Sequence, residues 1–299
     1  MAHSRHLIGV DIGGTKIAAG IVDVGAGIVS SRIEIPTRPE RGGAAVFQSV
    51  RDMIASLIAA SAGMSHGIGV GICEIVDGRG RLRSAVTVDW RNHDLNELGG
   101  GAAVHLVSDV RAAALAEASF GAARAHRHAL FVSVGTGIAS VPIFDGVPYG
   151  GANGAALVLA TAPRRIVCRH CGSPSHGALE DIASGRAIAR LHLHGQSDDA
   201  GAVLRAAASG DVAAMELIIH ATALLGDAIG QLANCLDPQA IILGGGLGSV
   251  DGAYWDHLQR QIRLSLWEGM DVQPEILRSS LGADGGLIGA ALAVDSGLR

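Results

Sequence analysis

Two lobes of mixed α/β structure are what this sequence predicts, and three observations predict them. The chain has 299 residues, more than the usual single-domain length. Strand-like apolar runs are interleaved with apolar residues at helical spacing. Residues 129–146, ALFVSVGTGIASVPIFDG, replay residues 6–23, HLIGVDIGGTKIAAGIVD, as strand, glycine turn, strand and Asp-containing turn. A repeat this far apart implies two related lobes.

In chain order, Leu7 to Val10 is a strand, Gly13-Gly14 a turn, Ile17 to Val22 a second strand, Asp23 to Gly27 a turn, and Ile28 to Ile35 a third strand. Val46, Val50, Met53, Ile54 and Leu57 recur at helical spacing, and Ile68 to Ile72 is an apolar strand. An Ala-rich helix follows Asp109 and runs to about Ala123. In the second lobe a helix passes through Met215, Leu217, Ile218, Leu224 and Leu225 and must stop before Pro238. The strand Ala240 to Leu243 leads into Gly244-Gly245-Gly246, and a last helix, Gly286 to Val294, is expected to pack back on the first lobe. The expected lobes are residues 1–115 with the terminal segment 286–299, and residues 116–285.

Hydrophobic residues make up 48% and charged residues 17%, enough apolar material for two cores. A net charge of -5 without a long basic run gives no support for a nucleic-acid or anionic-membrane partner. The opening MAHSRHLIGVDIGG lacks the pattern of a signal peptide, and no uninterrupted apolar run approaches about 18 residues, so a cytoplasmic protein is expected. Four cysteines are too few for a disulfide framework. The close pair Cys168 and Cys171 points to metal, and Cys235 to core packing.

Three glycine clusters follow apolar strands: Gly13-Gly14-Thr15-Lys16, Gly135-Thr136-Gly137 and Gly244-Gly245-Gly246. Without a Cβ, backbone N–H groups can approach phosphate oxygens closely. A lone cluster is better explained as a tight turn. Three, two of them in a repeated hairpin, favour a nucleotide phosphate site. None fits the Walker or the G-x-G-x-x-G pattern.

These segments resemble the ROK family of repressors, open reading frames and kinases, within the hexokinase, Hsp70 and actin superfamily. LIGVDIGGTKIAAGIVD resembles its first phosphate motif, SVGTGIA its second, LDPQAIILGGG its adenosine motif and GGLIGAAL its terminal helix. The resemblance implies the two-lobed, ribonuclease H-like, actin-type ATPase fold, ATP and Mg²⁺ as cofactors with Asp11 near the metal, a cleft that closes on substrate, and a homodimer. Repressors of the family carry a helix-turn-helix before the first strand. Here that strand begins within ten residues, so DNA binding is not expected.

VSDVRAAALAE resembles the family's N-D-x-N-x-A-A-x-x-E, which implies that Asp109 takes the proton from a sugar 6-hydroxyl. By spacing alone, Ser108 and Asp109 would be an N-cap of the following helix, a role compatible with catalysis. Around Asp109 the sequence departs from the family. Ser108 and Arg111 replace sugar-binding asparagines, Cys73-Glu74 replaces proline-glycine, Thr87 stands for an asparagine, and Leu157-Val158-Leu159-Ala160-Thr161 replaces G-E-x-G-H. Glu180 matches the later sugar-binding glutamate. The implied substrate-binding set is Glu74, Thr87, Ser108, Asp109 and Glu180.

A changed hydroxyl-reading site implies a changed substrate. A Glu74 carboxylate near the sugar 3-position would pair with an ammonium group, as in an aminosugar such as kanosamine, whose kinases resemble this family. A C7-cyclitol or carbasugar also fits. Alternatively Glu74 is solvated or pairs with Arg81 or Arg83. A second reading is a sugar or nucleotide sensor that has lost catalysis. Finally, Cys168, Cys171 and His176 resemble part of the family's structural zinc site, although Ala178 and Thr161 replace two ligands. Reduced thiols and a surface histidine are the alternative.

Overall fold

The computed structural model describes residues 5–61, 67–156, 158–167 and 171–296. The chain forms two compact units, residues 1–125, 143–156 and 280–299 in one and 126–142 and 157–279 in the other. These bounds differ from the expected 115 and 286. The helix that begins at Asp109 is continuous to Phe120. Its buried Glu117 carboxylate accepts the N–H groups of Ala122, Ser280 and Leu281, tying the returning chain to the first unit from Ser280 onward.

The first unit contains β1 (His6–Ile12), β2 (Lys16–Asp23), β3 (Ile28–Pro36), α1 (Gly43–Ala60), β4 (Ile68–Ile72), β5 (Val104–Ser108) and α2 (Asp109–Phe120). Its sheet has the order β3-β2-β1-β4-β5, with β1, β2 and β3 antiparallel and β1, β4 and β5 parallel. Because side chains alternate across a strand, each strand serves two faces. Ile8, Val10 and Ile12 of β1 and Ile68, Val70 and Ile72 of β4 share one core with Val46, Val50, Met53, Ile54 and Leu57 of α1. The intervening residues Gly9, Asp11, Gly69 and Gly71 lie on the opposite face.

In the second unit, β6 (His128–Val134) and β7 (Ile138–Phe144) repeat the opening hairpin and lead to β8 (Val147–Pro148), β7 ending and β8 lying in the 143–156 segment of the first unit. A hairpin of β9 (Pro163–Val167) and β10 (Pro174–Ala178) precedes α3 (Glu180–Ala183), α4 (Gly185–His192), α5 (Ala200–Ala208) and α6 (Val212–Leu236). Then come β11 (Ala240–Gly244), α7 (Gly245–Gly248), α8 (Ala253–Ser265) and β12 (Glu275–Arg278). The sheet order β12-β11-β6-β7-β8 is that of β5-β4-β1-β2-β3. The repeat seen in two hairpins therefore extends to five strands.

Helix α6 is 25 residues long and apolar enough to cross a membrane by length and composition. It is a core helix. Ala214, Ile218, Ala221, Leu225, Ile229 and Ala233 form a buried stripe, and Gly226 and Gly230 leave no room for a Cβ against Gln261 and Ser265 of α8. Asp211 caps it by accepting the Ala214 N–H, and Asp237, at φ 47°, ends it before Pro238. Cys235, expected in the core, is exposed.

The chain closes with α9 (Gly285–Ser296), which covers the glycine face of the first sheet. A methyl group on Gly9 would fall on the Leu287 carbonyl, one on Gly69 on the Ala290 carbonyl, and one on Gly289 on the Ala112 carbonyl of α2. Sheet, α2 and α9 thus meet backbone to backbone. In an open helix, Gly→Ala gains about 0.5–1 kcal/mol. Gly289→Ala should instead lose about 1–3 kcal/mol or more, because the overpacked atom is backbone and cannot turn away. Urea unfolding of the variant, read as a fall in midpoint at unchanged slope, measures the sign.

Candidate active site

Strand register places the predicted residues of the first unit. Ile12 of β1 pairs with Ile72 of β4, and Ile72 with Ser108 of β5, so three parallel strands end level. Asp11, Cys73-Glu74 and Asp109 consequently gather at their carboxyl ends, where open α/β sheets bind ligands. Asp109 is the first residue of α2, and its Oδ1 accepts the Val110 N–H at 2.7 Å. Ser108 makes no side-chain cap bond to α2, and its hydroxyl accepts the Nε–H of buried Arg111 at 2.9 Å. The two replaced asparagine positions are thus bonded to each other. Arg111 also donates to the Val76 carbonyl, and Gly150 has no Cβ where its guanidinium lies.

Burial dominates the electrostatics here. It pushes the Asp109 carboxyl from 3.8 up to about 7, aided by the Asp11 charge. It raises Asp11 to about 6, against the opposing pull of Lys16 and Arg32. The Cys73 thiol is raised, by burial first and the Asp109 charge second, against the opposing effect of the Thr87 hydroxyl.

The Gly13-Gly14-Thr15-Lys16 turn is held by a residue that sequence reasoning missed. Buried Thr37 donates its hydroxyl to the Gly13 carbonyl at 2.7 Å and its N–H to the Thr15 carbonyl at 2.9 Å, while the Gly13 N–H bonds the Lys16 carbonyl at 3.0 Å. Its signal was only a polar residue directly after a strand. Lys16 itself pairs with Glu34 at 3.2 Å.

Glu74 is 6% exposed, neither solvated nor paired with Arg81 or Arg83. Those arginines converge on Asp77, Arg83 at 2.7 Å and Arg81 at 3.1 Å. The Glu74 carboxylate accepts from the Ser84 hydroxyl and from the N–H groups of Val86 at 3.0 Å, Thr87 at 2.7 Å and Val88 at 3.4 Å.

The second unit carries the other predicted residues. The Gly135 N–H bonds the Gly137 carbonyl at 2.9 Å, and the Gly135 carbonyl accepts the Gly185 N–H at 2.7 Å. Glu180 accepts the Ile138 N–H at 2.7 Å and lies where a Cβ on Gly137 would sit, so it braces the glycine turn that includes Thr136. Gly244 ends β11, and Gly245, at φ 79°, takes the left-handed conformation against the Val134 carbonyl. Gly246 lies beside Gly135, bringing the two glycine clusters together.

The donor sets differ in what they can hold. A half-buried carboxylate, Asp11, beside a glycine turn suits Mg²⁺ with nucleotide phosphates. For zinc, Cys171 and His176 are exposed and Cys168 lies outside the described residues. Among the described residues no group of three His, Cys, Asp or Glu is gathered for a metal.

The ROK family model matches residues 7–296. The chain is 30% identical to a glucokinase of Streptomyces coelicolor over 95% of this chain and 96% of that protein. It is 32% identical to the bifunctional enzyme NanE/NanK of Brucella melitensis over 96% of this chain, which spans about half, 54%, of that longer protein. The structure of a ROK family glucokinase from Streptomyces griseus, solved with glucose and AMPPNP, aligns with a TM-score of 0.79 at 30% identity, covering 96% of this chain and 98% of that one. The fold is accordingly the two-lobed actin-like ATPase fold, and the chain belongs to the ROK family.

Proposed function

We propose that the protein is an ATP-dependent kinase that phosphorylates a primary hydroxyl of a modified sugar or sugar-like alcohol, with Asp109 as base. The observation that carries this reading is the Asp109 carboxyl, raised to about 7 at the first residue of α2 with Asp11 beside it. A base near the working pH accepts a hydroxyl proton efficiently. Asp11 and the Gly13-Gly14 turn would hold Mg²⁺ and phosphate oxygens, and the Gly135-Gly137 and Gly244-Gly246 turns would take the remaining nucleotide groups. Bound Mg·ATP supplies the phosphoryl group and neutralises developing charge.

The kinase names among the relatives support this class of activity. Replacement of the G-E-x-G-H segment, with Ala160 buried and Thr161 exposed, supports an acceptor other than glucose. An aminosugar reading needs a carboxylate open to an ammonium group, and Glu74 is already occupied by four donors of its own chain. The raised carboxyl of Asp109 favours catalysis over a sensor, because proton transfer uses a base poised near neutral pH and binding alone does not need one.

Asp109→Asn should abolish transfer yet retain nucleotide binding; preserved turnover would remove Asp109 as base. The same variant should be more stable than the parent. A carboxyl whose folded pKa lies above its unfolded one binds more protons folded than unfolded, so its contribution falls as pH rises from about 4 to about 7. The gain in Tm should therefore be greatest above pH 7 and vanish near pH 4. For the wild type, kcat/KM should fall as pH drops below about 7, and a pH–rate profile locates that limb.

A further inference from the structure

We infer that Glu74 is a positioning residue that clamps the 84–88 segment and, through Thr87, sets the acceptor end of the site. This rests on the kinase reading for its functional half only. A buried carboxylate has about four acceptor directions, and Glu74 fills them with the Ser84 hydroxyl and the N–H groups of Val86, Thr87 and Val88. Ser84 is itself fixed, accepting the Ile75 N–H at 2.8 Å, so the clamp closes on the segment that bears Glu74.

The clamped segment has no regular secondary structure to satisfy those N–H groups. Left without acceptors in a half-buried position, they would be costly. What the clamp presents is Thr87. Its methyl group would lie 3.2 Å from a Cβ on Gly14, and its hydroxyl stands near enough to the Cys73 thiol, the neighbour of Glu74, to oppose the effect of burial there. Thr87 therefore joins the phosphate turn, the end of β4 and the surroundings of Asp109. Glu74 reaches substrate through Thr87, with no direct contact of its own.

Three variants test this in the full chain: Glu74→Gln, which keeps the shape but places an amide NH₂ against N–H donors, Thr87→Ala, and the double variant. Hydrogen exchange of the Val86, Thr87 and Val88 amides reads the clamp without any acceptor. Faster exchange in Glu74→Gln is expected, and unchanged exchange would overturn the clamp. With a turned-over acceptor, Glu74→Gln should raise acceptor KM about tenfold, as lost charge-assisted hydrogen bonds imply, with a smaller rise in ATP KM. The double variant should cost no more than the worse single one. Multiplying effects, or a loss confined to amine-bearing acceptors, would show direct contact and overturn the proposal. Should Glu74→Gln fail to fold, Ser84→Ala removes one donor and should show the same changes in smaller measure; the absence of both would count against the clamp. If the wild type turns over no acceptor, the kinase reading fails while the exchange experiment still decides the clamp.

Discussion

The close seating of α9 on the first sheet is the constraint on which the site depends. Gly9 and Gly69 remove the side chains from one face of β1 and β4, and Gly289 does the same between α9 and α2, so three elements meet at backbone contact. The apolar partners on the other face, Ile8, Val10, Ile68 and Val70, hold the sheet to α1. With the strands fixed from both sides, the level ends of β1, β4 and β5 determine where Asp11, Cys73 and Asp109 stand. Gly286 extends this logic to the site, since a Cβ there would collide with the Asp11 carboxylate. A segment from the end of the chain thus positions chemistry encoded near its beginning.

That rigidity sustains an unfavourable electrostatic arrangement. Asp11 and Asp109 are both raised mainly by burial, and each is further from its ordinary range than a surface carboxylate would be. Folding must overcome the cost, which packed glycines and the Glu117 tie help offset. The same environment makes Asp109 a better proton acceptor than an exposed aspartate. The charged replacements nearby follow a different rule. Glu74 is satisfied by backbone donors, and Arg111 by Ser108 and the Val76 carbonyl, so both shape the surroundings of Asp109 through contacts with the chain itself.

Much of the fold was legible because its signals were local and strong. The alternation in LIGVDIGG and IGVGI marks strands directly, and the repeated hairpin announces the second sheet. The short strands Val104–Ser108 and Glu275–Arg278 and helices α4, α5 and α8 left weaker patterns and were not foreseen. The expected roles of Asp11 and Asp109 came from resemblance, since spacing alone favoured a helix cap for Ser108 and Asp109. Glu74 shows where sequence runs out: a buried glutamate and an exposed one look alike until the chain folds the 84–88 segment over it. Thr37 likewise acts on a turn more than twenty positions away, a pairing no local pattern encodes.

The central claim is that these residues form a working phosphotransfer site. Coupled ADP release with Mg·ATP across a panel of glucose, mannose, N-acetylmannosamine, glucosamine, kanosamine and a C7-cyclitol tests it most directly. The account predicts acceptor-dependent ADP release with at least one member other than glucose preferred. ATP binding without acceptor-dependent release from any of them would contradict it and favour a sensor.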